Sequence, residues 1–201
     1  MEDLSSSQVR RPFTGSCHCG ATRYLVYLTV PFIQRPYDPS NREQTVYRCN
    51  CTICHKAGIL HVRVRFAPED FLLLSPLDPF KDLGDYRPGP HLRFLYCRTC
   101  AVRCFTFMGE GELVDLKDLD VPGAGNDNGL TKAWRPKKEG WREGRAEGCY
   151  LSVNGYTIDQ GQKDLDLREL TEKKIVSYID CLSGVDKQSP TLERPHFGGA
   201  Y

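Results

Sequence analysis

The chain has 201 residues, a formal net charge of +1, 40% hydrophobic and 26% charged residues. That is enough for one ordinary domain with a real core, and it excludes a global field drawing the protein to nucleic acid or anionic lipid. No apolar run reaches the ~20 residues that span a bilayer, and residues 1–12 hold no hydrophobic stretch, so they read as a polar tail without an export signal. The expectation is a cytoplasmic protein with no membrane partner.

Residues 13–16 lead into Cys17-His18-Cys19-Gly20, and the β-branched, aromatic run 21–28 predicts a strand leaving that pair. Gly15 and Gly20 bracket the pair, as a tight turn requires. Residues 31–43 are rich in proline and polar side chains and read as a loop. A strand at 45–48 delivers the chain into Cys49-Asn50-Cys51-Thr52-Ile53-Cys54, and residues 55–58 read as a turn. Alternation of apolar and basic residues over 60–66 predicts a half-exposed strand, with His61, Arg63 and Arg65 on one face. Residues 68–70 open a short turn or a helix start, and 71–74 read as a buried strand. After the turn at 84–90, a strand at 91–96 feeds Cys97-Arg98-Thr99-Cys100, and 105–108 leaves it as another strand.

Residues 109–148 are rich in glycine and charge and read as a surface insertion pinned by Trp134 and Trp141, with a basic stretch over 132–145. Strand character returns at 150–158, a short helix is expected at 166–170 capped near Asp164 or Asp166, and 175–179 is apolar again. Residues 184–201 read as a polar, proline-rich tail. Many short strands and few helices predict a mainly β fold of antiparallel strands with minor helix, forming a single domain over 13–183.

Ten cysteines need an explanation. Seven fall in clusters at x and x-x spacing, which suits chelation better than disulfides in a reducing compartment. Cys104, Cys149 and Cys181 stand alone and read as small buried hydrophobes. Four thiolates close a tetrahedral zinc site, whereas three leave a position open for water or a substrate thiol. Cys17 and Cys19 with Cys97 and Cys100 therefore form a closed set, leaving Cys49, Cys51 and Cys54 as an open one. A zinc-ribbon pairing of Cys51 and Cys54 with Cys97 and Cys100 strands three thiols and ranks lower.

The three clusters in this order resemble the glutathione-dependent formaldehyde-activating enzyme family, which includes the domain of centromere protein V. The likeness covers about residues 13–160, and the closing Arg194-Pro195-His196-Phe197-Gly198-Gly199-Ala200-Tyr201 is similar to the tail of fungal members. The resemblance implies a zinc-bearing β-tent fold with two Zn²⁺ per chain, a structural one on Cys17, Cys19, Cys97 and Cys100 and a catalytic one on Cys49, Cys51 and Cys54. It implies a carbon–sulfur lyase-type activity like S-hydroxymethylglutathione synthesis, on a glutathione–aldehyde adduct or a related small-molecule thioether. Two features depart from the family pattern: Ala101 stands where a glycine usually follows the C-x-x-C, and 109–148 is extra.

Three thiolates on Zn²⁺ leave a net charge of −1, a soft site that favours a thiol. His18 and His55 are candidate proton shuttles, and His61 shares a strand face with Arg63 and Arg65, which are candidate partners for a glutathione carboxylate. The competing reading is a non-enzymatic zinc module binding a protein, microtubule or nucleic acid through 132–145. A homo-oligomer is compatible with either.

Overall fold

A computed structural model describes residues 8–41, 43–119, 129–139, 141, 149–184 and 189–199. In chain order the strands are β1 (Val9–Ser16), β2 (Arg23–Val30), β3 (Thr45–Cys49), β4 (His61–Arg63), β5 (Phe71–Ser75) and β6 (Gly84–Tyr86). They continue with β7 (Arg93–Tyr96), β8 (Arg103–Met108), β9 (Gly111–Asp115), β10 (Lys132–Pro136), β11 (Tyr150–Asn154) and β12 (Ser177–Ile179). Among the described residues helix is confined to four short pieces, α1 (Thr52–Ala57), α2 (Ala67–Asp70), α3 (Pro79–Asp82) and α4 (Glu169–Glu172), with 3-10 turns at Leu116–Asp118 and Gly155–Thr157. The fold is mainly β, as the sequence predicts.

The strands form a five-stranded sheet, β1-β2-β5-β10-β9, and a seven-stranded sheet, β12-β3-β4-β11-β8-β7-β6. Among the described residues every ladder is antiparallel except β12 against β3, which runs parallel with Ile179 opposite Cys49. Aromatic rings join the two sheets. Phe71 of β5 meets Phe105 of β8 with centroids 4.9 Å apart, and Phe107 of β8 stands edge-on to Trp134 of β10 at 5.2 Å. Such tilted ring pairs contribute about 0.5–1.5 kcal/mol beyond their area burial. Gly111 lies under the Trp134 ring so closely that a Cβ there would sit 2.0 Å from it.

Several expectations are corrected. Residues 9–12 are not tail: they extend β1, pairing with residues 27–30 of β2. The stretch 60–66 is strand only over β4, and His61, Val62 and Arg63 are all buried because β3 and β11 flank it. Alternation misleads here, since Arg63 is covered by the loop before β3 and only Arg65 reaches solvent. Residues 109–148 are not simply a surface insertion, for β9 and β10 complete one edge of the first sheet and Trp134 and Trp141 are buried. Within that segment, residues 120–128, 140 and 142–148 lie outside the described residues. The helix expected at 166–170 starts later, at Glu169, because Asp166 caps only a preliminary turn by accepting the Arg168 N–H.

The tail expected from 184 also carries structure among its described residues. Thr191 exchanges main-chain hydrogen bonds with Tyr178 at 2.7 and 3.0 Å, adding an antiparallel bridge beside β12.

Candidate metal centre

The cysteines gather into two sets, Cys17, Cys19, Cys97 and Cys100 in one and Cys49, Cys51 and Cys54 in the other, with the sulfurs of each within 4.8 Å of one another. The zinc-ribbon pairing is thereby excluded. Both sets can hold a metal ion.

The four-thiol set joins two knuckles. Cys17 follows β1 in a turn closed by Cys17 N–H to the Thr22 carbonyl (3.0 Å), and Thr22 N–H donates to Cys17 Sγ at 3.2 Å. Cys97 follows β7, and Ala101 N–H returns to its carbonyl at 2.9 Å. Ala101 takes a φ of 60°, the left-handed conformation that glycine adopts freely, so the turn is kept at some cost in strain. Cys19 Sγ lies 3.6 Å from both Cys17 Sγ and Cys97 Sγ. A tetrahedron with metal–sulfur bonds of about 2.3 Å has edges of about 3.8 Å, so the donor set fits a zinc-sized ion. Burial opposes ionisation of Cys97, yet the N–H groups of Cys100 and Thr99 bring its thiol down to about 6.

The three-thiol set is spread over three local structures rather than one loop. Cys49 ends β3, Cys51 precedes the first turn of α1 in extended conformation, and Cys54 lies inside α1. Gly58 in left-handed conformation ends the helix and returns the chain to β4. Hydrogen bonds from the Cys49 and Cys54 thiols pull Cys51 down to about 2, whereas contact with Cys181, Cys51 and Cys54 pushes Cys49 far up. The triad thus holds one thiolate readily and resists three, the state in which a cation is required.

Asn50, between two of these cysteines, is buried and holds the chain after β12. Its Oδ1 accepts the N–H groups of Cys181 (2.7 Å) and Leu182 (3.1 Å), and its Nδ2 donates to Asp180 Oδ1 (2.7 Å) and the Phe197 carbonyl (3.1 Å). Cys181 is thereby held beside Cys49, half-buried rather than a buried hydrophobe, while Cys104 and Cys149 are buried as expected.

His61 is the histidine that reaches the triad. Its Nε2 lies 3.1 Å from Cys54 Sγ and its Nδ1 lies 2.8 Å from Ser152 Oγ. Burial brings it down to about 4 against the opposing charge of Cys51, so the imidazole is neutral at pH 7. His18 and His55 are exposed.

No family model, curated protein or solved structure matches the chain.

The triad, Cys181, His61 and Arg63 line one cavity of about 590 Å³, a volume suited to a small-molecule ligand. Tyr37, Tyr47 and His61 line one wall of it: Tyr47 stacks on the His61 ring with centroids 4.7 Å apart, and Tyr37 packs tilted against Tyr47 at 4.6 Å. Tyr47 and Tyr150 hydroxyls hydrogen-bond to one another. Arg65 does not line this cavity. Sequence reasoning missed these tyrosines, Ser152 and Cys181, since their spacing carries no metal or catalytic signature. It singled out Cys49, Cys51 and Cys54, and it offered His18 and His55 as proton shuttles beside His61 as a pocket residue; of these His61 reaches the triad.

Proposed function

We propose that the protein is a zinc-dependent, cytoplasmic carbon–sulfur lyase-type enzyme acting on a small-molecule thiol adduct, with Cys17, Cys19, Cys97 and Cys100 holding a structural zinc and Cys49, Cys51 and Cys54 a catalytic one. The observation that carries this reading is the three-thiol set opening on a cavity of about 590 Å³. The likeness of the three cysteine clusters to the glutathione-dependent formaldehyde-activating enzymes supports it.

A zinc ion bound by the triad supplies positive charge that stabilises a substrate thiolate and polarises an oxygen. In the bond-forming direction the thiol sulfur adds to an aldehyde carbon and the thiol proton ends on the former carbonyl oxygen. The reverse direction breaks that carbon–sulfur bond and returns the proton to sulfur. No oxidant or reductant is needed. His61 holds a proton between Cys54 Sγ and Ser152 Oγ, moderating the charge on that thiolate and fixing its position. The tyrosine wall excludes water, which would otherwise compete for the aldehyde.

The interaction-module reading gains little from the basic stretch. Arg135 pairs with Glu112, Lys137 with Glu110 and Lys138 with Glu69, at 2.8–3.0 Å, so these cations face acids of the same chain. Arg142 and Arg145 lie outside the described residues.

The test is metal per chain, together with carbon–sulfur bond formation from thiol and aldehyde pairs, in wild type and Cys54→Ser. Two zinc ions falling to one, with activity lost and the circular dichroism kept, is the expected result. One zinc in both proteins, or activity surviving the substitution, would sink the proposal.

A further inference from the structure

We infer that the substrate carried by this site has an apolar, aromatic body rather than the peptide body of glutathione. The inference rests on the thiol-adduct reading above and names its substrate class.

Glutathione brings two carboxylates and an ammonium group, and each needs a partner when it leaves water. Around the triad the described lining residues offer only one permanent charge, Arg63, and no carboxylate. Arg63 is 6% exposed and already engaged. Its Nη1 donates to the Asp38 carbonyl (2.9 Å), its Nη2 to the Glu43 carbonyl (3.0 Å) and to Thr45 Oγ1 (3.3 Å), and its guanidinium covers the Tyr37 ring at 4.9 Å. It ties the loop before β3 to β4. A ligand carboxylate would have to displace these bonds.

The reactive centre adds to the mismatch. Three thiolates around a divalent cation carry a net −1, which repels carboxylates held nearby. The rest of the wall favours rings. Tyr47, Leu92, Phe94, Trp141, Tyr150 and Ile179 line the same cavity, and with Tyr37 they make an aromatic and aliphatic wall against which a flat group can pack. Among the described lining residues the hydroxyls that can orient a ligand are neutral, those of Tyr47 and Tyr150, which bond to one another, and that of Thr52.

The test is calorimetric binding of phenylmethanethiol, glutathione and toluene to the metal-loaded full chain. Phenylmethanethiol is expected to bind at least about a hundredfold more tightly than glutathione. Equal or tighter binding of glutathione, or failure of the aromatic thiol to bind, overturns the inference. Leu92→Arg changes a half-buried position on the cavity wall and leaves the fully buried core untouched. It is expected to shrink the preference at least about tenfold, and an unchanged ratio with circular dichroism preserved overturns the inference too. Cys54→Ser separates the two claims. If phenylmethanethiol and toluene bind wild type and this variant alike, the aromatic preference stands while the thiol-on-zinc reading falls.

Discussion

The Asn50 carboxamide oxygen accepts the main-chain N–H of Cys181 at 2.7 Å, so a residue inside the cysteine cluster fixes the position of a fourth thiol beside it. The same side chain holds Leu182, Asp180 and Phe197. Asn50→Ala would leave buried N–H groups without acceptors, and the expected loss is about 2–3 kcal/mol in urea denaturation. An unchanged unfolding midpoint would show that water or main-chain groups replace the carboxamide at no cost.

His61 meets Cys54 through one ring nitrogen and Ser152 through the other. His61→Phe keeps a ring against Tyr47 and removes both hydrogen bonds. Zinc content should remain at two per chain while turnover falls about 10- to 100-fold, the usual scale for a group that orients a metal ligand. A variant with wild-type turnover would reduce the histidine to a packing element.

Ala101 closes the Cys97–Cys100 knuckle with a φ of 60°. Ala101→Gly relieves that strain and loosens the unfolded chain slightly, with a net stabilisation of about 0.5–1 kcal/mol. Thermal unfolding of the zinc-loaded protein would register it, and a lower melting temperature would contradict it.

Gly111→Ala tests whether β9 and β10 belong to the folded sheet. The added methyl would collide with the Trp134 indole, which is wedged against Phe107 and Phe80. The expected cost is about 2 kcal/mol, accompanied by a shift in tryptophan emission. Neither change would be seen if the segment were a detachable surface loop.

Asp70 gives a pH signature. Burial pushes its carboxyl up, only partly offset by the Phe66 N–H at 2.7 Å and Arg10 Nε at 2.8 Å. A carboxyl whose folded pKa is raised holds its proton more tightly in the fold than in the unfolded chain. Its contribution is therefore fully present below 3.8 and declines as pH rises through the raised value. Relative to Asp70→Asn, the wild type should lose stability across that window. Parallel stability curves for the two proteins would refute the assignment.

Much of the site was legible because metal ligation is written in short spacing: seven cysteines at x and x-x intervals sort into a set of four and a set of three, and the fold follows that sorting. Strand positions were legible where a run of β-branched, aromatic and leucine side chains is buried on both faces, as in β2 and β5. Legibility failed where burial is decided by distant neighbours. His61 and Arg63 look like one side of an exposed strand, and only the flanking β3 and β11, with the loop over Arg63, make them interior. Cys181 and Tyr150 come to the triad through pairings about a hundred residues or more in span, which no local pattern encodes.

Those spans set an order of events when the chain is made. Asn50 and Cys181 are 131 residues apart. At synthesis rates of about 5–20 residues per second, Cys49, Cys51 and Cys54 would leave the ribosome roughly 6 to 26 seconds before β12 can pair beside them. During that interval the three thiols stand without β12 and Cys181 beside them, so the wall that those residues add to the cavity is the last part of it to form.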